Sequence, residues 1–244
     1  MITVDPSLTR SKLKELNQHF EHLPFHERLK ELYNHFHESE ILVTSSFGTS
    51  AVFLLHLISR FHPTQKIHFI DTNYHFPETL AYKERLIRKF GLSVVPVLPH
   101  AGSAAFTQEE KTWETDANLC CTVNKVLPLA EVKSAHKVWI SGLMSYQNPF
   151  RESLNIFEQQ NEIIKFHPLI DTTEEEVKRY LSYYNLPEHP LLKDGYGSVG
   201  CTHCTEKGEG RMGRWKGNNK SECGLHAPMG RFNSAQRTRE QLLS

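Results

Sequence analysis

Five cysteines carry most of the chemistry available to this chain of 244 residues. Cys120 and Cys121 are adjacent, Cys201 and Cys204 frame a Cys-Thr-His-Cys stretch, and Cys223 stands alone in Glu-Cys-Gly-Leu-His. Four thiolates in two pairs suit a structural zinc or an iron–sulfur cluster. Zinc sites take closely spaced rather than adjacent cysteines, because two neighbours reach one small ion only by bending the backbone tightly. A cubane accepts neighbours on different irons. The spacing therefore favours a 4Fe-4S cluster on Cys120, Cys121, Cys201 and Cys204 over zinc. Cys223 is then the thiol left over. Arg211, Arg214 and Lys220 precede it and His226 follows it. Neighbouring cations favour the reactive thiolate, and Glu222 opposes them if it folds close. On these residues alone, Cys223 is either a nucleophile or a spare thiol. Lys125 falls one helical turn beyond Cys121, facing the cluster or a substrate anion, or simply solvent.

A second group of residues suits an anion. Thr44-Ser45-Ser46-Phe47-Gly48-Thr49-Ser50 follows the apolar run "EILV" and precedes the helical run "AVFLLHLISRF". Hydroxyls, a glycine and the free N–H groups of a helix start make an anion cradle. The Gly-Lys-Ser/Thr ending of a Walker loop is missing. Asp71-Thr72-Asn73 ends the next apolar run, "KIHFI", so two polar strand ends lie side by side, as a nucleotide requires.

The positioning elements follow from periodicity. Leu13, Leu16 and Phe20 form one helical stripe and Leu29, Leu32 and Phe36 another. Strands are predicted at "EILVTSS", "KIHFID", "LSVVPVL" and "KVWISG". Helices are predicted at "AVFLLHLISRF", at "FPETLAYKERLIRKFG" with Pro77 in its first turn and Gly91 past its end, and at "TVNKVLPLAEVKSA". This alternation predicts an α/β fold, a largely parallel sheet flanked by helices, with ligands outside the carboxyl ends of its strands. Beyond Asn148 the texture changes to a short hairpin over "RESLNIFEQQNEIIKFHPLI", a helix over "TTEEEVKRYLSYYNL" capped by Thr172 or Thr173, and a loop. The expected organisation is N-terminal helices over 1–38, an α/β nucleotide-binding unit over 39–200, and a flexible cluster-completing tail over 201–244.

Composition narrows the function classes. Lys and Arg total 28 against 28 Asp and Glu, so nothing marks a general polyanion or nucleic-acid binder. Most of the 15 histidines sit singly on amphipathic helices and read as solvated or half-buried. No apolar run approaches the about 20 residues of a membrane span. "MITVDPSLTR" lacks the apolar core of a signal peptide, so a cytoplasmic, reducing location is expected.

Taken in order, "SSFGTS", "IDTNYHFPET", "CCTVNK", "SGL", "YQNPFR", "HPLID", "GYGSVGCTHC", "GRW" and "ECGLH" resemble the assimilatory sulfonucleotide reductases, which act on adenylyl sulfate or phosphoadenylyl sulfate. The resemblance spans Ser45 to His226 and implies an adenine nucleotide alpha hydrolase-like fold with a C-terminal catalytic tail. It implies that Cys223 attacks the sulfur of a phosphosulfate and becomes S-sulfonated, and that thioredoxin or glutaredoxin then releases sulfite. It further implies that Ser45, Ser46, Phe47, Gly48 and Ser50 line the phosphate loop and that Asp71 and Thr72 sit on the nucleotide side. Arg151, Arg211 and Arg214 would hold phosphate and sulfate oxygens, with Lys125 linking cluster to substrate and His226 accompanying Cys223.

Two departures stand out. Met144-Ser145 replaces the family's arginine pair before Gln147, and Asp71-Thr72-Asn73 replaces Asp-Thr-Gly. The four cluster cysteines point to adenylyl sulfate, whereas the "SSFG" loop is close to that of phosphoadenylyl-sulfate enzymes. Rival readings are an ATP-pyrophosphatase-type adenylating enzyme, whose "SGGxDS" loop lacks its aspartate here, and a zinc-stabilised binding protein. A homo-oligomer is compatible with the sequence, though no feature of it fixes one.

Overall fold

The computed structural model describes residues 10–215, 220 and 222–226. Six strands form one sheet in the order β3-β2-β1-β4-β6-β5. They are β1 (Ile41–Ser45), β2 (Lys66–Ile70), β3 (Ser93–Val97), β4 (Val138–Ile140), β5 (Phe157–Gln160) and β6 (Ile163–Phe166). All neighbours run parallel except the β5/β6 hairpin, in which Phe157 pairs with Phe166. The hairpin turns at Asn161, whose φ of 54° is a left-handed conformation that asparagine tolerates. β1 and β4 are apolar at almost every position because both faces of a central parallel strand are covered: Ile41, Leu42, Val43, Val138, Trp139 and Ile140 are all fully buried.

Helices cover both faces. The first four are α1 (Arg10–Glu21), α2 (Phe25–His35), α3 (Ala51–Phe61) and α4 (Pro77–Phe90). The predicted stripes point inward: Leu16 and Phe20 of α1 and Leu29 and Leu32 of α2 join the main core. Phe20 meets Phe157 edge-on, with ring centroids 4.8 Å apart, which ties α1 to the hairpin. Removing a ring buried like this one costs about 3–5 kcal/mol. α4 starts at Pro77 and ends where Gly91 takes a φ of 63°. After the β5/β6 hairpin, α10 (Glu174–Tyr183) is capped by Thr173 through a reciprocal pair with Glu176.

Between β3 and β4 the structure is richer than the sequence pattern indicates. α5 (Ala101–Glu109) and α6 (Thr112–Thr115) occupy a stretch with no clear apolar stripe. The single helix expected from Thr122 is instead α7 (Ala117–Cys121), a π-helical turn over Thr122–Val126, and α8 (Leu127–Lys133). Within the turn the Leu127 N–H donates to Thr122 C=O, five residues back. Pro128 supplies the reason, since it has no N–H for the Asn124 carbonyl and its ring crowds that group. A final short helix, α9 (Pro149–Glu152), is capped by the Asn148 side chain.

The chain moves outward from β1 through β2 to β3, then returns to place β4 on the other side of β1. The loops leaving β1 and β4 therefore diverge, and a crevice opens between them at the carboxyl ends of the strands. Among the described residues no helix is long and apolar enough to cross a membrane.

Candidate active site

The crevice is walled on one side by the β1–α3 loop. Ser45 Oγ accepts from the Phe47 N–H at 3.0 Å, and the Gly48 C=O accepts from the Ala51 N–H at 3.0 Å, folding the loop onto the start of α3. Gly48 is required by close approach: an added Cβ would lie 3.0 Å from the Val199 carbonyl oxygen. Thr49 Oγ1 donates to Gly197 C=O at 3.1 Å, and Ser50 Oγ accepts from Gln147 Nε2 at 3.2 Å. Ser45, Ser46, Gly48 and Ser50 line the cleft at the positive end of the α3 dipole. Phe47 does not. Its φ of 51° turns the ring away into the core, fully buried and edge-on to Phe69.

The same cleft is lined by Arg151, Arg211, Arg214, Cys223, His226 and Lys125. Two of these arginines meet the residue beside Cys223. Glu222 Oε1 accepts from Arg151 Nε at 2.6 Å and from Asn148 Nδ2 at 2.8 Å, and Glu222 Oε2 lies 3.2 Å from Arg211 Nη2. Arg151 also donates to Gln147 Oε1. Burial would raise the Glu222 carboxyl, but the hydrogen bond and charge of Arg151, joined by Arg211, hold it below the usual carboxylate range. Burial and the neighbouring Arg151 push Arg211 down to about 10, against the pull of Glu222. Arg214 reaches Ser198 Oγ at 3.3 Å and lies over the Trp215 ring at 4.4 Å. The segment from Glu222 closes in a turn, with the His226 N–H bonded to Cys223 C=O at 3.0 Å. Leu225 packs with Leu42, Ile70, Leu129 and Trp139, and Cys223 touches the same cluster.

The other four cysteines line a separate small cavity behind Lys125, which also borders the cleft. α7 presents Cys120 and Cys121; an antiparallel bridge from His75 to Cys201 and a Thr202 N–H to Tyr74 C=O bond of 2.8 Å place the second pair. Thr72 Oγ1 lies 3.3 Å from Cys201 Sγ, and Asn124 Nδ2 lies 3.7 Å from Cys120 Sγ. Trp113 stacks on His203 at 4.0 Å and closes one wall. Burial disfavours the Lys125 ammonium, but Cys201, Cys121 and Cys223 outweigh it and drive its pKa upward. Burial likewise disfavours the Cys201 thiolate, but Lys125 and Thr72 bring that thiol below its ordinary value. Cys204 is pushed up to about 11 by burial and by Cys201 and Cys121, and Cys120 is raised by burial and Cys121.

Among the described residues no three His, Cys, Asp or Glu side chains converge tightly enough to hold one metal ion. The four thiols around one cavity are a donor set that suits an iron–sulfur cluster or zinc.

Asp71 and Thr72 are not brought into the cleft. Thr72 turns to Cys201, and Asp71 accepts the Asn73 N–H at 3.0 Å beside His75. Met144, where the resemblance leads one to expect an arginine, is fully buried in the core, and the Ser145 N–H bonds Ile170 C=O at 2.7 Å. Ser141, expected at a strand end beside the ligand, lines the cleft and bonds His167 Nδ1 at 2.6 Å, whereas His167 itself and Lys165 beneath the tail are not among the residues expected from the sequence. A lysine and a histidine inside the apolar run "IIKFHPLI" were the available signal.

Comparison with known proteins agrees with this geometry. Residues 40–207 match the family described as the phosphoadenosine phosphosulfate reductase domain. The chain is 40% identical over 199 residues to the adenosine 5'-phosphosulfate reductase of Bacillus cereus (strain 03BB102), covering 78% of this chain and 85% of that protein. The protein of the same name from Bacillus mycoides (strain KBAB4) is 40% identical over 203 residues, covering 80% and 86%. Among solved structures, phosphoadenylyl-sulfate (PAPS) reductase from Candida auris superposes with a TM-score of 0.69 at 25% identity, covering 82% of this chain and 98% of that one. Yeast FAD synthetase, 16% identical with a TM-score of 0.54 and covering 84% of this chain and 70% of that one, shares the fold alone. A match over residues 40–207, together with relatives 40% identical over most of their length, shows that the chain belongs to the phosphoadenosine phosphosulfate reductase domain family.

Proposed function

We propose that the protein reduces adenylyl sulfate to sulfite and AMP with a dithiol protein of the thioredoxin or glutaredoxin class. The observation that carries this reading is Cys223, half-buried and lining the same cleft as the β1–α3 phosphate loop. The nucleotide phosphate fits the free N–H groups and hydroxyls of Ser45, Ser46 and Ser50. The Cys223 thiolate attacks the sulfate sulfur, an S–S bond forms, and the S–O bond to phosphate breaks with its electron pair leaving on AMP. A thiolate of the partner then attacks Cys223 Sγ, sulfite leaves, and the partner's second thiol resolves the mixed disulfide. Both electrons come from the dithiol.

Arg214 and Lys125 are the cations best placed for the sulfo and phosphate oxygens. Arg151 and Arg211 act through Glu222, docking the segment that carries the thiol. A 4Fe-4S cluster, brown in colour, would be held by Cys120, Cys121, Cys201 and Cys204, and would supply fixed charge beside Lys125 rather than electrons. The names of the 40% identical relatives favour adenylyl sulfate, and the Candida auris neighbour supports phosphoadenylyl sulfate as the second reading. The test is sulfite release by anaerobically purified protein with thioredoxin, comparing kcat/KM for the two nucleotides. The expected result is a preference for adenylyl sulfate. No sulfite from either nucleotide, with the protein folded and brown, overturns the reading.

A further inference from the structure

A buried cation lies beneath the segment that carries Cys223, and neither the phosphate loop nor the cysteine cavity uses it. Lys165 sits on β6, in register with Trp139 of β4 on one side and Glu158 of β5 on the other, and is only 5% exposed. An ammonium in an apolar strand is costly unless it is hydrogen-bonded. Its partners belong to the tail: Lys165 Nζ donates to Leu225 C=O at 3.1 Å and lies 3.5 Å from His226 Nδ1. The Trp139 ring supports both sides, with Lys165 Nζ at 4.5 Å from its centroid and the His226 ring stacked on it at 5.4 Å and 19°. Without the tail, this lysine would lose both acceptors.

We propose that Lys165 is a positioning residue for Glu222–His226: it anchors the Leu225 carbonyl and donates to His226 Nδ1, which fixes His226 as the Nε2–H tautomer and leaves that N–H as the ring's free donor at the cleft. An ammonium has no lone pair, so a bond between these two nitrogens requires the imidazole to accept at Nδ1 and to carry its proton on Nε2. The imidazole is neutral, as this needs: burial first, then Lys165, Arg151, His167 and Arg211, keep His226 well below its ordinary range. Burial, then Lys133 of α8, lower Lys165 to about 8, while Cys223, Glu158 and Glu222 pull it back. At neutral pH the lysine is thus charged and the histidine is not. Use of the Nε2–H toward a sulfo-group oxygen rests on the proposed reductase reading; the anchoring and the tautomer do not.

The test uses the full chain with Lys165→Met, which keeps the stem, and Lys165→Arg, which keeps the charge. The ¹⁵N imidazole spectrum of His226, assigned by loss of its signals in His226→Gln, is expected to show the Nε2–H tautomer in the parent and a tautomer mixture in Lys165→Met. Amide exchange at Leu225 and His226 is expected to rise about ten-fold in Lys165→Met. With adenylyl sulfate, kcat is expected to fall by about ten-fold or more while KM changes by less than about two-fold, and Lys165→Arg is expected to recover most of kcat. An Nδ1–H tautomer in the parent overturns the proposal. So does a Lys165→Met protein with unchanged exchange and tautomer. If Lys165→Met does not fold, the parent and Lys165→Arg spectra decide. A parent that makes no sulfite but shows the expected tautomer and exchange keeps the anchor and rejects the reductase reading.

Discussion

The cleft and the cysteine cavity lie on either side of Lys125 and solve opposite electrostatic problems. In the cleft, a buried carboxylate, that of Glu222, is offset by Arg151 and Arg211. In the cavity, buried thiols crowd one another so that Cys120 and Cys204 are driven toward their neutral forms. A cationic group there would reverse that pressure, since metal-bound thiols are deprotonated outright. The cleft offsets its buried carboxylate with two arginines and keeps Arg214 and Lys125 for an anionic ligand; the cavity would be balanced by the proposed cluster.

The largest expected effect tests whether the two regions divide the labour. Cys223→Ser should lower sulfite release by at least about a thousand-fold while leaving brown absorbance intact and AMP affinity within about two-fold. Full activity in that variant would remove Cys223 from the chemistry. Cys201→Ser is the converse. It should abolish the brown absorbance, measured anaerobically, and an unchanged spectrum would take Cys201 out of the ligand set. Next, Arg151→Ala strips Glu222 of its closest partner and should cost about 2 kcal/mol in denaturant unfolding, because a charge-assisted hydrogen bond is lost and the buried carboxylate keeps only Arg211 and Asn148. A loss below about 1 kcal/mol would show that the cleft is not balanced in this way.

A smaller effect is the share of the pH dependence that His167 contributes. Burial, then Lys165 and Arg151, lower its pKa to about 3. Unfolded, the imidazole takes up a proton below its ordinary value, while folded it stays neutral down to about 3. The unfolded state therefore binds more protons in this window, and stability falls as the pH drops. Between about pH 7 and pH 5 this group alone should remove about 2 kcal/mol, and His167→Gln should flatten the curve by that amount. An equally steep curve in the variant would place the acid sensitivity elsewhere. The smallest effect is that of Glu222→Gln. Freeing two arginines should tighten AMP binding by a few-fold while lowering kcat, because the tail loses its ionic latch. Weaker AMP binding would mean that Glu222 orders the anion site rather than competing for it.

Periodicity made most of the frame readable. Central strands buried on both faces appear as unbroken apolar runs, and helices such as α4 announce both ends, at Pro77 and Gly91. The cysteine pairs and the serine loop were equally visible because chemistry of that kind is local in the chain. What stayed hidden depends on contacts across long separations. In the sequence Glu222 is only a charge that opposes the thiolate; Arg151 and Arg211 reach it from far along the chain. Thr72 falls at a strand end that suits a nucleotide, yet it turns to Cys201, because the direction of a strand-end side chain depends on which loop packs over it. Phe47 stands among hydroxyl neighbours, and only its backbone angle sends the ring inward.

The π-helical turn of Thr122–Val126 ties the two regions together mechanically. Each residue added to or removed from a helix rotates everything beyond it by about 100° about the axis. Cys121 and Lys125 are four residues apart, so they share a face of the helix, and both line the cysteine cavity. A residue inserted between them and absorbed in regular α form would place them five apart, about 140° around the axis, and would swing Lys125 off the boundary between cavity and cleft without altering any chemical group at either site. In this segment insertions should therefore be tolerated far less than substitutions, and a scan of single-residue insertions from Thr122 to Leu127 would map where that phase is held.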